Sequence, residues 1–261
     1  MYIKAKTLPD AWFQAVYNLI DYDEDKKLKN GVLYQIDQGS YEQSWRLEYP
    51  FIAIEINHPL EKPLLPDLPP HTNLPPIADM AYVYQYFIEY FMGTEIPPNT
   101  VYSYGSRINQ ILCWNKVRAY DMPQLDILIE RLKEHPHSNQ LILQIAEPSD
   151  LLLVDPPCLR SIALKVIDGN IDLHVYFRSN DLWSGFPVNL ACMSLFLKYL
   201  TVMAEYGSGK IYYFSSGLHL YHHNFEHAAI RCQKPEFIEL IAKLMGIALP
   251  TKGTCLAHQD E

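Results

Sequence analysis

Cysteine is scarce and unpatterned. There are five in 261 residues, at 113, 158, 192, 232 and 255, and no two are spaced as CxxC. No zinc ligand set or disulfide framework is readable, and free thiols of this kind fit a reducing, cytoplasmic setting. Long apolar runs are missing too. No stretch approaches the uninterrupted length that spans a bilayer, and Met1-Tyr2-Ile3-Lys4 lacks the apolar core of a secretory signal. Positive charge is in deficit, with 21 Lys+Arg against 30 Asp+Glu and a net charge of −9. An acidic chain lacks the clustered cations that broad nucleic-acid binding needs, but a small basic pocket for one nucleotide stays open.

What is present is ordinary globular material, 49% hydrophobic and 20% charged, enough for one large domain with a sizeable core. Nineteen tyrosines within 13% aromatic residues suit a packed core or an oligomer interface. Trp12, Val16 and Ile20 recur at helical spacing behind Pro9. Residues 31–37 and 47–56 read as strands. Residues 58–79 hold seven prolines (59, 63, 66, 69, 70, 75 and 76), which exclude a helix or an inner strand. Nothing before them is large enough to fold alone. The expectation is therefore a single domain over 1–261, with 58–79 an ordered surface segment and 251–261 a mobile tail. Further on, a Tyr- and Phe-rich helix over 81–92 stops at Gly93, and an amphipathic helix covers Gln124–Glu134. Asp168-Gly169-Asn170 joins two strands as a hairpin. An apolar helix over 188–205 is expected at the centre of the core.

The motifs that carry chemistry come in one order: Tyr104-Gly105, Pro157-Cys158, Arg178-Ser179-Asn180-Asp181, Gly185-Phe186-Pro187-Val188-Asn189-Leu190-Ala191 and His219-Leu220-Tyr221. With the 124–134 helix and a strand over 140–146, they resemble thymidylate synthase in continuous register over about half the chain, 101–226. The short N-terminal part resembles the divergent archaeal-type branch. This resemblance implies an α+β fold with one mixed sheet, flanking helices and a sheet face used for dimerisation. It implies a methyltransferase acting on dUMP with methylenetetrahydrofolate, as a homodimer.

Carried over residue by residue, it makes Cys158 the nucleophile, with Arg178 nearby to favour the thiolate. The other four cysteines read as structural. Arg178 and Ser179 would hold the phosphate, a fork and a hydroxyl donor suiting that group. Asn189 would read the pyrimidine edge, its amide matching uracil, and is equally natural as a helix cap. Asp181 would bind the folate or be a solvated loop carboxylate. His219 and Tyr221 would meet the sugar, ribose or deoxyribose, and Tyr104 would join the proton relay. His222 and His223 suggest a metal cluster with His219, but the family uses that histidine without metal, so none is expected.

The chain departs from the family pattern at four places. Leu159 replaces the histidine after the nucleophile. Asn139-Gln140 replaces the arginine pair that reaches the partner's phosphate. Gln38 falls near the phosphate-loop arginine, with Arg46, Arg107 or Arg160 as possible substitutes. Tyr86 falls at the general-base glutamate, and Glu89, one helical turn on, is the candidate to replace it. The family's folate-closing C-terminus is unrecognisable in 256–261. Two alternatives therefore stand beside methylation: a pyrimidine-nucleotide 5-hydroxymethylase using the same adduct, or a catalytically impaired nucleotide-binding homologue.

Overall fold

The computed structural model of the chain describes residues 1–38, 41–98, 100–109, 111–114 and 119–247, with backbone alone for 111–114 and 119–121. The side chain of Cys113, Cys255 and the 251–261 tail lie outside the described residues.

In chain order, β1 (Tyr2–Ala5), α1 (Leu8–Leu19), β2 (Val32–Gln35), β3 (Trp45–Tyr49) and β4 (Ile52–Ile56) precede the proline segment. After it come α2 (Met80–Gln85), α3 (Tyr104–Asn109), β5 (Ile111–Trp114), β6 (Ala119–Met122), α4 (Gln124–Glu134) and β7 (Ile142–Gln144). The second half holds β8 (Leu159–Ile167), β9 (Asn170–Phe177), β10 (Asn180–Asp181), α5 (Gly185–Ala204), β11 (Gly207–Ser215), β12 (Leu218–Tyr221), α6 (Phe225–Cys232) and α7 (Glu236–Met245).

The large sheet is mixed and six-stranded, in the order β1-β4-β11-β9-β8-β7. Asp168 and Gly169 take φ of 49° and 74° at the β8–β9 turn. Two consecutive left-handed residues give the turn whose twist matches the flanking strands, which is why this hairpin is visible in sequence. Alternate residues on one face, among them Ile54, Ile162, Leu173, Val175, Phe177, Ile211 and Tyr213, are buried. They meet α5, which contacts β9 and β11 and carries α1 beside it. The helix has the length and apolarity of a membrane span, but two thirds of it is buried inside the fold, as in a core helix. The opposite face of the sheet carries Tyr176, Tyr212, Phe214 and His174, whose ring stacks on Tyr212 at 4.7 Å.

Residues 47–56 are two strands rather than the single one expected. Pro50 has no N–H to give a ladder, and the chain leaves β3 for a different sheet there. That second sheet runs β10-β12-β3-β2 and forms one wall of the site. Sequence reading also missed α3, α6 and the β5–β6 hairpin. The proline segment packs against the rest of the fold: Leu64 and Leu65 are buried, and Ser194 Oγ of α5 donates to the Pro59 carbonyl at 2.7 Å.

The aromatic helix starts where Asp79 Oδ1 accepts from the Tyr82 amide at 2.7 Å. From Tyr86 to Met92 it widens into π-helical geometry. α3 packs directly on its end. A Cβ on Gly105 would lie 2.0 Å from the Gly93 carbonyl oxygen, so the glycine of Tyr104-Gly105 is required by backbone-on-backbone contact.

Candidate active site

Cys158 is held at the start of β8 from three directions. The Leu159 amide donates to the Tyr104 hydroxyl at 3.2 Å, and the Arg178 amide donates to the Cys158 carbonyl at 2.8 Å. The Pro157 carbonyl accepts from Arg178 Nε at 3.1 Å and from an Arg160 terminal nitrogen at 3.2 Å. Arg178 also donates to the Pro156 carbonyl and lies 3.4 Å from the Asp155 carboxylate. A proline pair supplies no amide hydrogens, so its free carbonyls become the acceptors on which the two guanidinium groups settle.

The thiol feels opposing influences. Burial pushes its pKa above the usual thiol range; Arg178 and Arg160 pull down and Asp155 adds a smaller push up. The two cations offset part of the cost of burying the thiolate without cancelling it. Arg160 is anchored by Asp150 at 2.8 Å, and Asp150 by Arg107 at 2.7 Å. Burial works against the Asp150 charge, but Arg107, the Glu147 amide and Arg160 outweigh it and hold its pKa below the usual carboxylate value. Arg107 further donates to the Ile145 carbonyl at 2.7 Å. Both arginines are therefore committed to building the cysteine turn.

Arg46 is placed differently. In the second sheet it pairs opposite Tyr221, and Glu48 pairs opposite His219. Directly paired residues share a face, so Arg46, Glu48, His219 and Tyr221 line one surface, with Asp181 entering opposite His219 from β10. Arg46 Nε lies 2.8 Å from Glu48. His219 Nδ1 bonds the Gly217 carbonyl at 2.9 Å and lies 3.4 Å from Ser179 Oγ. A carbonyl accepts only, so Nδ1 carries the proton and Nε2 is left as an acceptor. Nε2 is buried without a partner among the described residues. Burial lowers the His219 pKa and keeps the ring neutral, and it raises Tyr221 to about 12. His223 stacks near Tyr221 at 5.7 Å, and no group of three metal-ligating side chains converges among the described residues.

Asp181, at the end of β10, is not a free loop carboxylate but folds onto the amides that lead into α5. Its Oδ1 accepts from the Trp183 amide at 3.0 Å, and its Oδ2 from the Ser184 and Gly185 amides at 3.3 Å and from the Ser184 hydroxyl. One Oδ1 lone pair remains available. Asn189, one turn inside the helix, is not the cap. Its Oδ1 accepts from the Tyr86 hydroxyl at 3.1 Å, and its Nδ2 donates to Asn180 Oδ1 at 3.1 Å. Asn180 Nδ2 donates in turn to the Tyr213 hydroxyl at 3.3 Å.

The structure places Glu89 outside this cluster. It is exposed and accepts from Gln85 Nε2 at 3.0 Å. The π-helical turn is the reason: with more residues per turn, Tyr86 aligns with Tyr90, their rings 5.2 Å apart, and no longer with the residue three on. Tyr104, by contrast, reaches the cysteine turn through Leu159. Burial pushes the Tyr86 and Tyr104 phenols well above their ordinary pKa. Sequence reading gave no role to Asn180, between Ser179 and Asp181, or to Tyr213 of β11.

A cavity of about 440 Å³ opens between α2 and the start of α5, lined by Ile77, Tyr82, Tyr86, Gly185, Val188 and Asn189. The rings of Tyr82 and Tyr86, the apolar Ile77 and Val188 and the Asn189 amide suit a flat heteroaromatic ring with a polar edge. A second cavity of about 450 Å³, lined by Tyr90, Tyr102, Val154 and Asp155, borders the cysteine turn.

Comparison with known proteins agrees with this geometry. The thymidylate synthase family model matches residues 93–244. Proteins of Methanosarcina barkeri and Methanosarcina mazei, each named "Putative thymidylate synthase", are 26% identical to the chain over 228 residues, covering 86% of it and 91% of each relative. The Methanosarcina acetivorans protein of the same name is 25% identical over the same span. With its motifs in order on a mixed sheet flanked by helices, the chain belongs to the thymidylate synthase family.

Proposed function

We propose that the chain methylates dUMP to dTMP, with methylenetetrahydrofolate as co-substrate, through a covalent adduct on Cys158. The observation that carries this is the cysteine turn itself, a thiol fixed at a strand start with two guanidinium groups on its own backbone. The Cys158 thiolate adds to C6 of the uracil ring, and the ring electrons move onto O4, leaving C5 nucleophilic. Asn189 and Tyr104 stabilise that charge through hydrogen bonds, and the thiolate leaves when the C6–S bond breaks at the end. C5 attacks the one-carbon unit of the folate, and the C5 proton passes through the Tyr104 relay to solvent. Tetrahydrofolate leaves the new carbon, and its hydride returns to give the methyl group and dihydrofolate. The folate ring lies against the pyrimidine in the tyrosine-lined cavity, and Asp181 is the carboxylate that meets its polar edge. Arg178, Ser179 and Arg46 hold the phosphate, and His219 and Tyr221 the sugar. No carboxylate is proposed as general base: Tyr86 occupies that position, and Glu89 faces solvent.

The test is the mass of the nucleotide formed from dUMP and methylenetetrahydrofolate. A methyl addition with dihydrofolate released supports the proposal. A hydroxymethyl addition with tetrahydrofolate released would replace it by the hydroxymethylase alternative. We further propose a homodimer through the aromatic sheet face of His174, Tyr176, Tyr212 and Phe214. Sedimentation at micromolar concentration should give twice the chain mass, and a monomer there would refute it.

A further inference from the structure

The two side-chain amides at the centre of the site touch no group that fixes their direction. Asn189 bonds Tyr86 on one side and Asn180 on the other; Asn180 bonds Asn189 and Tyr213. The amides are therefore flanked by two phenols, Tyr86 and Tyr213, the second of which also bonds the Ser215 hydroxyl, and phenols and hydroxyls both donate and accept. Among the described residues no backbone group and no charged group bonds either amide. All three bonds can reverse together: Tyr213 donates to Asn180, Asn180 to Asn189, and Asn189 to Tyr86. The reversal keeps the number of bonds among these four side chains and leaves neither amide unpaired, while the Tyr86 hydroxyl hydrogen turns toward the cavity, so it carries none of the penalty of an orphaned amide.

This symmetry bears on what the site reads, because Asn189 and Tyr86 both line the cavity. Uracil offers an acceptor at O4 and a donor at N3, whereas cytosine offers a donor at N4 and an acceptor at N3. An amide held one way round complements the first, and the same amide turned over complements the second. A carboxylate at position 86 would accept only, and would force Asn189 to turn its nitrogen there. Tyr86 forces nothing.

We propose that the Asn189 amide serves in either orientation, so that the site binds cytosine as well as uracil nucleotides, with Tyr86 and Asn180 as the positioning residues that permit it. This rests on the reading of Asn189 as the group facing the pyrimidine edge.

The experiment is calorimetric binding of dUMP and dCMP to the full chain at pH 8, with no turnover required. The parent should bind the two within about tenfold of each other, since reversal loses no bond. Two variants then fix the direction from opposite ends. Tyr86→Glu turns the Asn189 nitrogen toward 86, and Asn180→Asp turns it toward 180. Their dUMP-to-dCMP affinity ratios should move in opposite directions, by roughly tenfold each. Tyr86→Phe, which removes a bond without choosing a direction, should weaken both nucleotides and keep the parent ratio. Unchanged melting temperatures separate these effects from misfolding, because loss of packing would not move the two ratios oppositely.

A parent preference for dUMP above about 100-fold overturns the inference and leaves the methylation reading standing. Ratios that fail to move, or that move the same way, do so too. Equal binding of the two nucleotides with no methylation of dUMP supports the inference and counts against that reading. If the parent binds neither nucleotide, both fall.

Discussion

Cys158→Ser is expected to lower dTMP formation by roughly 10⁴-fold or more, followed as dihydrofolate release, while dUMP still binds. The substitution removes one sulfur from a turn whose other bonds come from the Leu159 amide and the Pro156, Pro157 and Cys158 carbonyls. The turn should therefore keep its shape. A hydroxyl, however, cannot reach the anionic form that a thiol flanked by Arg178 and Arg160 can. The same electrostatics set the pH dependence. Burial raises the thiol pKa in the free protein, and the arginines only partly offset it. The reactive species is the deprotonated one, so a raised pKa means that kcat/KM climbs as pH rises through and beyond the ordinary thiol range. A rate flat between neutral pH and pH 9 would contradict that placement of the thiol, and methylation surviving in Cys158→Ser would remove it from the chemistry.

Arg178→Ala should cost roughly 10²–10³-fold in kcat/KM, divided between the two constants. Arg178 does two things. Its guanidinium holds the Pro156 and Pro157 carbonyls, and in the proposed reaction it meets the phosphate. Losing the phosphate contact raises KM. Losing the cation lets burial act on the thiol with less opposition, so alkylation of Cys158 by iodoacetamide at pH 8, quantified on its own peptide, should slow as well. Arg178→Lys keeps the charge but cannot span two carbonyls, and should recover the alkylation rate better than KM. An unchanged KM in Arg178→Ala would reassign the phosphate to Arg46, which faces Tyr221 from the neighbouring strand.

The parts of the site legible in the sequence are those made within a short stretch of chain. Asp168-Gly169 announces its turn because the required backbone is specific to few residues. The amphipathic helix ends at the predicted boundaries, Gln124–Glu134, because Pro123 and Pro136 bracket it. Cys158, Arg178 and His219 are visible because they sit in motifs. The amide run was not legible. Its members come from the π-helical turn after α2 and from β10, α5 and β11, and Tyr86 and Asn189 are separated by 103 positions. Glu89 was a reasonable candidate on ordinary helical spacing, and a π-helical turn that periodicity does not reveal moved it into solvent. The roles of Arg107 and Arg160 were likewise open in sequence. Only the fold shows that both converge on Asp150 beside the cysteine turn, whereas Arg46 pairs opposite Tyr221 in the second sheet.

The most direct test of the central claim is to trap the adduct. Fluorine at C5 of dUMP cannot leave as a proton does, so 5-fluoro-dUMP with methylenetetrahydrofolate stops the reaction with the C6–S bond intact. Intact-protein mass spectrometry should show one nucleotide and one folate per chain, located by digestion to the peptide containing Cys158 and absent from Cys158→Ser. Methylation of dUMP with no adduct, or an adduct on Cys192 or Cys232, would contradict it.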